Sequence, residues 1–151
     1  MSSQSEWLCK RFEELRSAEL YSILKLRIEV FIIEQNCIFQ DADDKDSFCY
    51  HLMNFRGNQL AAYTRLVPAG ISFKEISIGR VVTDSQFRNL GLGKELMQRS
   101  IDMIWNIYGV QPIRIGAQVY LEAFYSSFGF KKAGEIYLED GIPHVEMVLN
   151  P

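Results

Sequence analysis

The segment from residue 75 to 108 constrains the fold more than any other part of this 151-residue chain. Ile76, Ile78, Val81 and Val82 make a β-branched run that reads as a strand over 75–83. A turn follows, Arg88-Asn89-Leu90-Gly91-Leu92-Gly93-Lys94, and leads into a helix over 91–108 whose apolar stripe is Leu92, Leu96, Ile101, Ile104 and Trp105. Glycines in such a turn permit positive φ and close approach of a ligand. The first helical N–H groups have no partners within the helix and carry the positive end of its dipole. This suits a pyrophosphate. An isolated Gly-x-Gly is more often only a tight connection. Spacing excludes two familiar phosphate turns. Gly-x-x-x-x-Gly-Lys-Ser/Thr is absent, and so is a third glycine with an acidic residue about 20 positions on.

Around this unit, residues 7–12 read as a first strand and Ser17 as the cap of a helix over 17–35, with Leu20, Leu24, Ile28 and Phe31 apolar. Residues 36–47 form a loop rich in aspartate. Strands over 48–56 and 59–68 flank Gly57-Asn58, a two-residue hairpin signal. Beyond the central helix come a strand over 112–117, a short helix over 120–128 ended by Gly129, and strands over 131–138 and 144–149. The order β, α, β, β, β, α, β, α, β, β predicts an α/β (α+β) fold with a mixed, largely antiparallel central sheet flanked by helices. No stretch reads as a linker or repeat, so residues 1–151 are expected to form one domain.

The net charge of −3 argues against nucleic acid as a partner, since neutralising phosphates needs clustered Lys and Arg in surplus. No basic segment with an apolar run opens the chain, and no apolar stretch approaches the roughly 18 residues of a membrane span. A cytoplasmic protein that contacts neither membrane nor nucleic acid is expected. Cys9, Cys37 and Cys49 are odd in number and irregularly spaced, which reads as buried reduced thiols. With His51 and His144 the only histidines, no metal site is expected. The run Asp41-Ala42-Asp43-Asp44-Lys45-Asp46 fails as a calcium loop, because Asp46 replaces the glycine at position six and Leu52 the glutamate at position twelve. It reads as a solvated acidic loop that could attract a cationic amine.

Arg88-x-x-Gly91-x-Gly93 after a β-branched strand resembles the pyrophosphate loop of the GNAT N-acetyltransferase superfamily. A second motif agrees: Tyr120-Leu-Glu-Ala-Phe-Tyr125-Ser-Ser-Phe-Gly129-Phe130 resembles that family's late helix, with a tyrosine four residues before Gly-Phe. Leu26-Arg27, Val30-Phe31, Glu34-Gln35, Gly116-Ala117-Gln118 and Glu139-Asp140-Gly141-Ile142-Pro143-His144 are similar to the ElaA-like branch. The resemblance implies an acetyl-CoA cleft where the strand ending at Thr83 separates from the strand ending at Ala117. Main-chain groups of Val81 and Val82 would pair with the pantetheine arm, and Arg88, Asn89, Leu90, Gly91, Leu92, Gly93 and Lys94 would hold the pyrophosphate. Gln118 stands where the wider family carries an asparagine that contacts the coenzyme.

Acyl transfer to an amine needs a base for the ammonium proton and stabilisation of the departing thiolate. By the resemblance Tyr125 faces the coenzyme sulfur. Without that motif, its place among Phe124, Phe128 and Phe130 would read as a core aromatic. Two candidates for the base stay open. Glu34 shares a helical stripe with Arg27, Val30 and Phe31, which makes Arg27 and Phe31 candidate acceptor contacts and an Arg27–Glu34 pair an alternative. His144 follows a turn at Gly141-Ile142-Pro143, and histidine titrates near neutrality. His51 reads as a packing residue within a strand. The expected function is N-acetyl transfer from acetyl-CoA to a primary amine by direct attack in a ternary complex. The alternative is a silent acyl-CoA-binding regulatory module of the same fold. Exposed apolar strands near the C-terminal end leave pairing with a second copy open.

Overall fold

The computed structural model describes residues 4–151. Four antiparallel strands make the first sheet in the order β1 (Ser5–Arg11), β2 (Tyr50–Arg56), β3 (Gln59–Val67) and β4 (Ser77–Thr83). In the second sheet β8 (Ile142–Leu149) pairs with β5 (Ile113–Gln118) along one edge. Along its other edge run two short strands, β6 (Lys131–Lys132) and β7 (Tyr137–Glu139). The helices are α1 (Ser17–Arg27), α2 (Leu92–Tyr108) and α3 (Glu122–Ser126). This is the mixed, largely antiparallel α/β arrangement that the element order predicts.

The two sheets meet at a single parallel bridge, Ile76 to Ile113, where the Arg114 N–H donates to the Ile76 carbonyl at 2.9 Å. Beyond it β4 and β5 separate. The register explains part of this: Tyr63 pairs with Val82 and Arg65 with Gly79, so β4 places an extra residue there, and Arg80 takes a positive φ of 51°. A bulge of this kind bends its strand and ends regular pairing.

One face of the first sheet packs α2, whose Met97, Ile101 and Ile104 join Leu66, Ile78, Ile115 and Met147 in the largest apolar cluster. The other face packs Ile23 and Leu26 of α1, and Val30 just beyond it, against Met53, Tyr63 and Val82. Each such aliphatic side chain contributes about 1.5–3 kcal/mol on full burial.

Several boundaries differ from the sequence expectation. The helix begun at Ser17 changes winding after Arg27: Ile28–Glu34 is π-wound, with the Gln35 N–H bonded to the Val30 carbonyl at 3.1 Å. Arg16 caps α1, its N–H donating to Glu19 Oε1 at 2.8 Å, so Ser17 is the first helical residue. The buried face of α1 carries Glu19, Ile23, Leu26 and Arg27, while Ile28 is exposed. Periodicity alone favours the Leu20–Leu24 stripe. The sheet supplies charge partners, Lys10 for Glu19 among them, that let the mixed face turn inward.

Phe12 and Phe48 lie in short 3-10 turns outside the strands, and the expected strand over 131–138 is split into β6 and β7. The helix expected over 120–128 is a 3-10 turn, Val119–Leu121, followed by the five residues of α3. The β7–β8 turn narrows to Asp140-Gly141, both at positive φ, the two-residue hairpin geometry that matches strand twist.

Candidate active site

The separation of β4 and β5 opens a cleft of about 880 Å³. Val81, Val82 and Thr83 form one wall with Arg88 and Gly93; Ile115, Gly116, Gln118, Phe124 and Tyr125 form the other. Phe31, Glu34 and Gln35 of the π-wound segment and Glu139, Asp140, Ile142 and His144 of the β7–β8 hairpin close the mouth. The side chains of Asn89, Leu90 and Lys94 are exposed beside the cleft, and that of Leu92 is buried in the core behind it. If Leu92 holds a ligand, it does so through its backbone.

The glycine turn has the shape its sequence suggests. Gly91 caps α2 at φ 74°, and Asn89 also takes a positive φ of 67°. The first intrahelical bond is from the Glu95 N–H to the Gly91 carbonyl at 3.1 Å, which leaves the N–H groups of Leu92, Gly93 and Lys94 without helical acceptors. A Cβ on Gly91 would meet nothing within 4 Å, so glycine serves the backbone angle there rather than space. Arg88 adds a cation and donates to the Thr83 carbonyl at 3.1 Å. These residues fit a pyrophosphate.

Tyr125 is 6% exposed, edge-on to both Phe124 and Phe130. Burial raises its phenol well above the ordinary range, so the hydroxyl is protonated and can donate. His144 is buried where β8 crosses from β7 to β5. Its Nδ1 lies 2.7 Å from the Ile142 carbonyl, which assigns the proton to Nδ1 and leaves Nε2 as the basic nitrogen. Nε2 is 3.6 Å from Glu139 Oε2, and the ring stacks on Tyr137 with centroids 5.8 Å apart. Once protonated, the imidazole would have a carboxylate beside it.

Arg27 is corrected. Its guanidinium is fully buried and bonds Asp41 and Asp46, each at 2.8 Å, and it does not line the cleft. The alternative Arg27–Glu34 pair is not formed either, because i→i+5 winding widens the turn between them and rotates Glu34 off the Arg27 face. Glu34 instead pairs with Arg88 at 2.6 Å. The acidic loop is not a solvated run: Arg27, Arg65 and Arg80 neutralise Asp41, Asp43 and Asp46. His51 packs within this network as the sequence suggests, its ring 2.6 Å from the Tyr63 hydroxyl.

Two cleft residues carry no sequence signal of their own: Gln35, whose amide pairs with Gln118 at 3.4 Å, and Tyr137, whose hydroxyl closes over Gly116. A glycine inside a strand is the available signal for the second, because it marks a close approach.

A family model described as an acetyltransferase (GNAT) domain matches residues 23–151. The chain belongs to the GNAT acetyltransferase family. Within that family it is 36% identical to Protein ElaA of Escherichia coli, over 94% of each chain. It is 40% identical to a UPF0039 protein of Schizosaccharomyces pombe, over 97% of this chain and 98% of that one. A crystal structure of an acyl-CoA N-acyltransferase from Pseudomonas aeruginosa superposes with a TM-score of 0.92 at 40% identity, covering 97% of this chain and 99% of the other. The ElaA-like resemblance read from the motifs therefore holds across nearly the whole GNAT fold.

Proposed function

We propose that the protein transfers an acetyl group from acetyl-CoA to a primary amine by direct attack in a ternary complex. The observation that carries this reading is one cleft with two chemically different walls: a glycine turn and Arg88 on one, Tyr125 and His144 on the other. The pyrophosphate would rest on the N–H groups of 92–94 with Arg88. The pantetheine arm would pair with the free edge of β4 at Val81 and Val82, with Gln118 across the cleft. In the transfer step the amine nitrogen attacks the thioester carbonyl carbon and the C–S bond breaks. The proton lost by the amine passes to His144 Nε2, and the departing thiolate accepts a hydrogen bond from the Tyr125 hydroxyl.

His144 is assigned as base over Glu34 because its Nδ1 is engaged by the Ile142 carbonyl and its Nε2 faces Glu139, whereas the Glu34 carboxylate is held by Arg88. A covalent cysteine route is disfavoured: Cys9 and Cys49 lie outside the cleft, with thiols that burial pushes up to about 11, and Cys37 on the cleft wall has its thiol donating to the Asp140 carbonyl at 3.3 Å.

Thermal unfolding with excess acetyl-CoA, against free CoA and ATP as controls, tests the coenzyme site. Ligand at about 100 times its dissociation constant stabilises by roughly 2.7 kcal/mol. A selective rise with CoA compounds, followed by amine-dependent thiol release that is much slower in His144→Gln than in the native protein, is expected. No shift with CoA compounds would overturn the reading.

A further inference from the structure

Most charges lining the cleft are cancelled in place: Glu34 by Arg88, Asp43 by Arg65 and Arg80, and Glu146 by Arg114. Lys45 is different. It is half-buried in the cleft wall, its Nζ donates to Ser72 Oγ at 3.3 Å, and it forms no ion pair among the described residues. The three arginines and three aspartates of the adjoining network sum to zero, and Asp44, the residue before it, is exposed, does not line the cleft and forms no ion pair with it. At the other end Glu139 and Asp140 have no Lys or Arg partner among the described residues; Glu139 faces only His144. The acceptor half of the cleft is thus polarised, cationic at Lys45 and Ser72 and anionic around His144.

Strand geometry gives the spacing. Phe73, next to Ser72, reaches to 3.9 Å from where a Cβ on Gly116 would lie, and His144 pairs with Gln118, two residues further along β5. At about 3.3 Å per residue, the stretch of β5 from the Phe73 contact to the His144 pair is by itself about 7 Å. Three bonds of extended chain cover about 3.8 Å, so about six bonds or more bridge the gap.

We propose that the acceptor is an amine that carries its own carboxylate, about six or more bonds away, with the carboxylate held by Lys45 and Ser72 and the amine presented to His144. This rests on the acyltransferase reading of the same cleft. One ammonium and one hydroxyl suit a carboxylate monoanion, whereas a phosphate dianion would call for more donors.

The test titrates CoA-saturated protein with 6-aminohexanoate and with hexylamine by calorimetry, in the native protein, Lys45→Met and Lys45→Arg, and then follows thiol release from acetyl-CoA with both amines. The native protein is expected to bind 6-aminohexanoate about tenfold or more tightly than hexylamine. That ratio should fall towards one in Lys45→Met and return in Lys45→Arg. Failure of 6-aminohexanoate to bind, equal affinity for the two, or a ratio that survives Lys45→Met overturns the proposal. A carboxylate preference in binding without acetyl transfer would instead overturn the acyltransferase reading and leave the anion site standing.

Discussion

Nη1 of Arg88 lies 2.6 Å from Oε2 of Glu34, linking the turn before α2 to the end of the π-wound segment across the cleft mouth. Arg88 is 35% exposed and Glu34 44%, so the pair itself is worth about 0–1 kcal/mol. Its consequence lies in competition. Arg88 cannot serve a pyrophosphate at full strength while it serves Glu34. Arg88→Ala should weaken CoA binding about tenfold, the scale of one charge-assisted hydrogen bond. Glu34→Gln should tighten it a few-fold by freeing the guanidinium. Calorimetric titration at low and high salt checks both, with the Glu34→Gln gain shrinking as salt screens the pair.

Tyr125 separates binding from turnover. Since burial keeps the phenol protonated, the pH–rate profile should show no alkaline loss attributable to it below about pH 10. Tyr125→Phe should lower kcat on the order of 10²-fold while CoA affinity stays within a factor of two. Steady-state kinetics beside CoA titration reads both quantities, and full activity in the variant would remove Tyr125 from the mechanism.

Arg27 has the opposite signature. It is buried against Asp41 and Asp46, so Arg27→Met leaves three aspartates against two arginines, one buried negative charge uncompensated, and should cost about 3–5 kcal/mol of stability. Urea unfolding of the variant measures this. A variant of native stability with a raised KM for the amine would restore Arg27 as an acceptor contact.

How far the sequence carries depends on whether its signals are local. The strand, glycine turn and helix around Gly91 are legible because positive φ, helix start and apolar periodicity coincide within a few residues. The same holds for the Gly57-Asn58 hairpin. Arg27 is misread because helical spacing assumes uniform winding, and the change to π winding after Arg27 has no local composition signal. The acidic loop is misread because its partners, Arg65 and Arg80, come from β3 and β4, at separations that no local pattern encodes. Tyr137 is invisible until β7 and β8 pair and carry its ring over Gly116.

Acid should destabilise the fold in two stages. Burial lowers the pKa of His51, whose ring lies between the Tyr63 hydroxyl and the Asp46 carbonyl. The unfolded chain therefore takes up a proton as pH falls through about 6.5 while the folded one does not, and stability declines by up to about 1.4 kcal/mol per pH unit. Burial alone would raise the carboxyl of Asp43, but hydrogen bonds from Arg65 and the charges of Arg65 and Arg80 outweigh it and hold it well below the usual range. Asp46 is lowered in the same way by Arg27 and Arg65. Their stabilisation is complete above the unfolded carboxylate pKa of about 3.9 and is lost as pH falls further. Unfolding midpoints from pH 3 to 8 should show both stages, and His51→Gln should flatten only the upper one.

Gly116 gives the sharpest test of how His144 is held. A Cβ there would lie 2.8 Å from the Tyr137 hydroxyl, closer than unbonded atoms approach, and 3.9 Å from Phe73. The clash falls on the far end of a flexible side chain, so Gly116→Ala should cost little stability, within about 1 kcal/mol. Tyr137 must move, however, and it is the ring stacked on His144. If that stack orients Nε2 towards the amine, kcat should fall about tenfold or more while CoA affinity is kept, and Tyr137→Phe in the alanine background should recover part of the loss by removing the clashing oxygen. Recovery would identify ring placement as the cause. A loss that Tyr137→Phe does not relieve would place the effect in the β5 backbone instead, and His144 would owe its orientation to the Ile142 carbonyl alone.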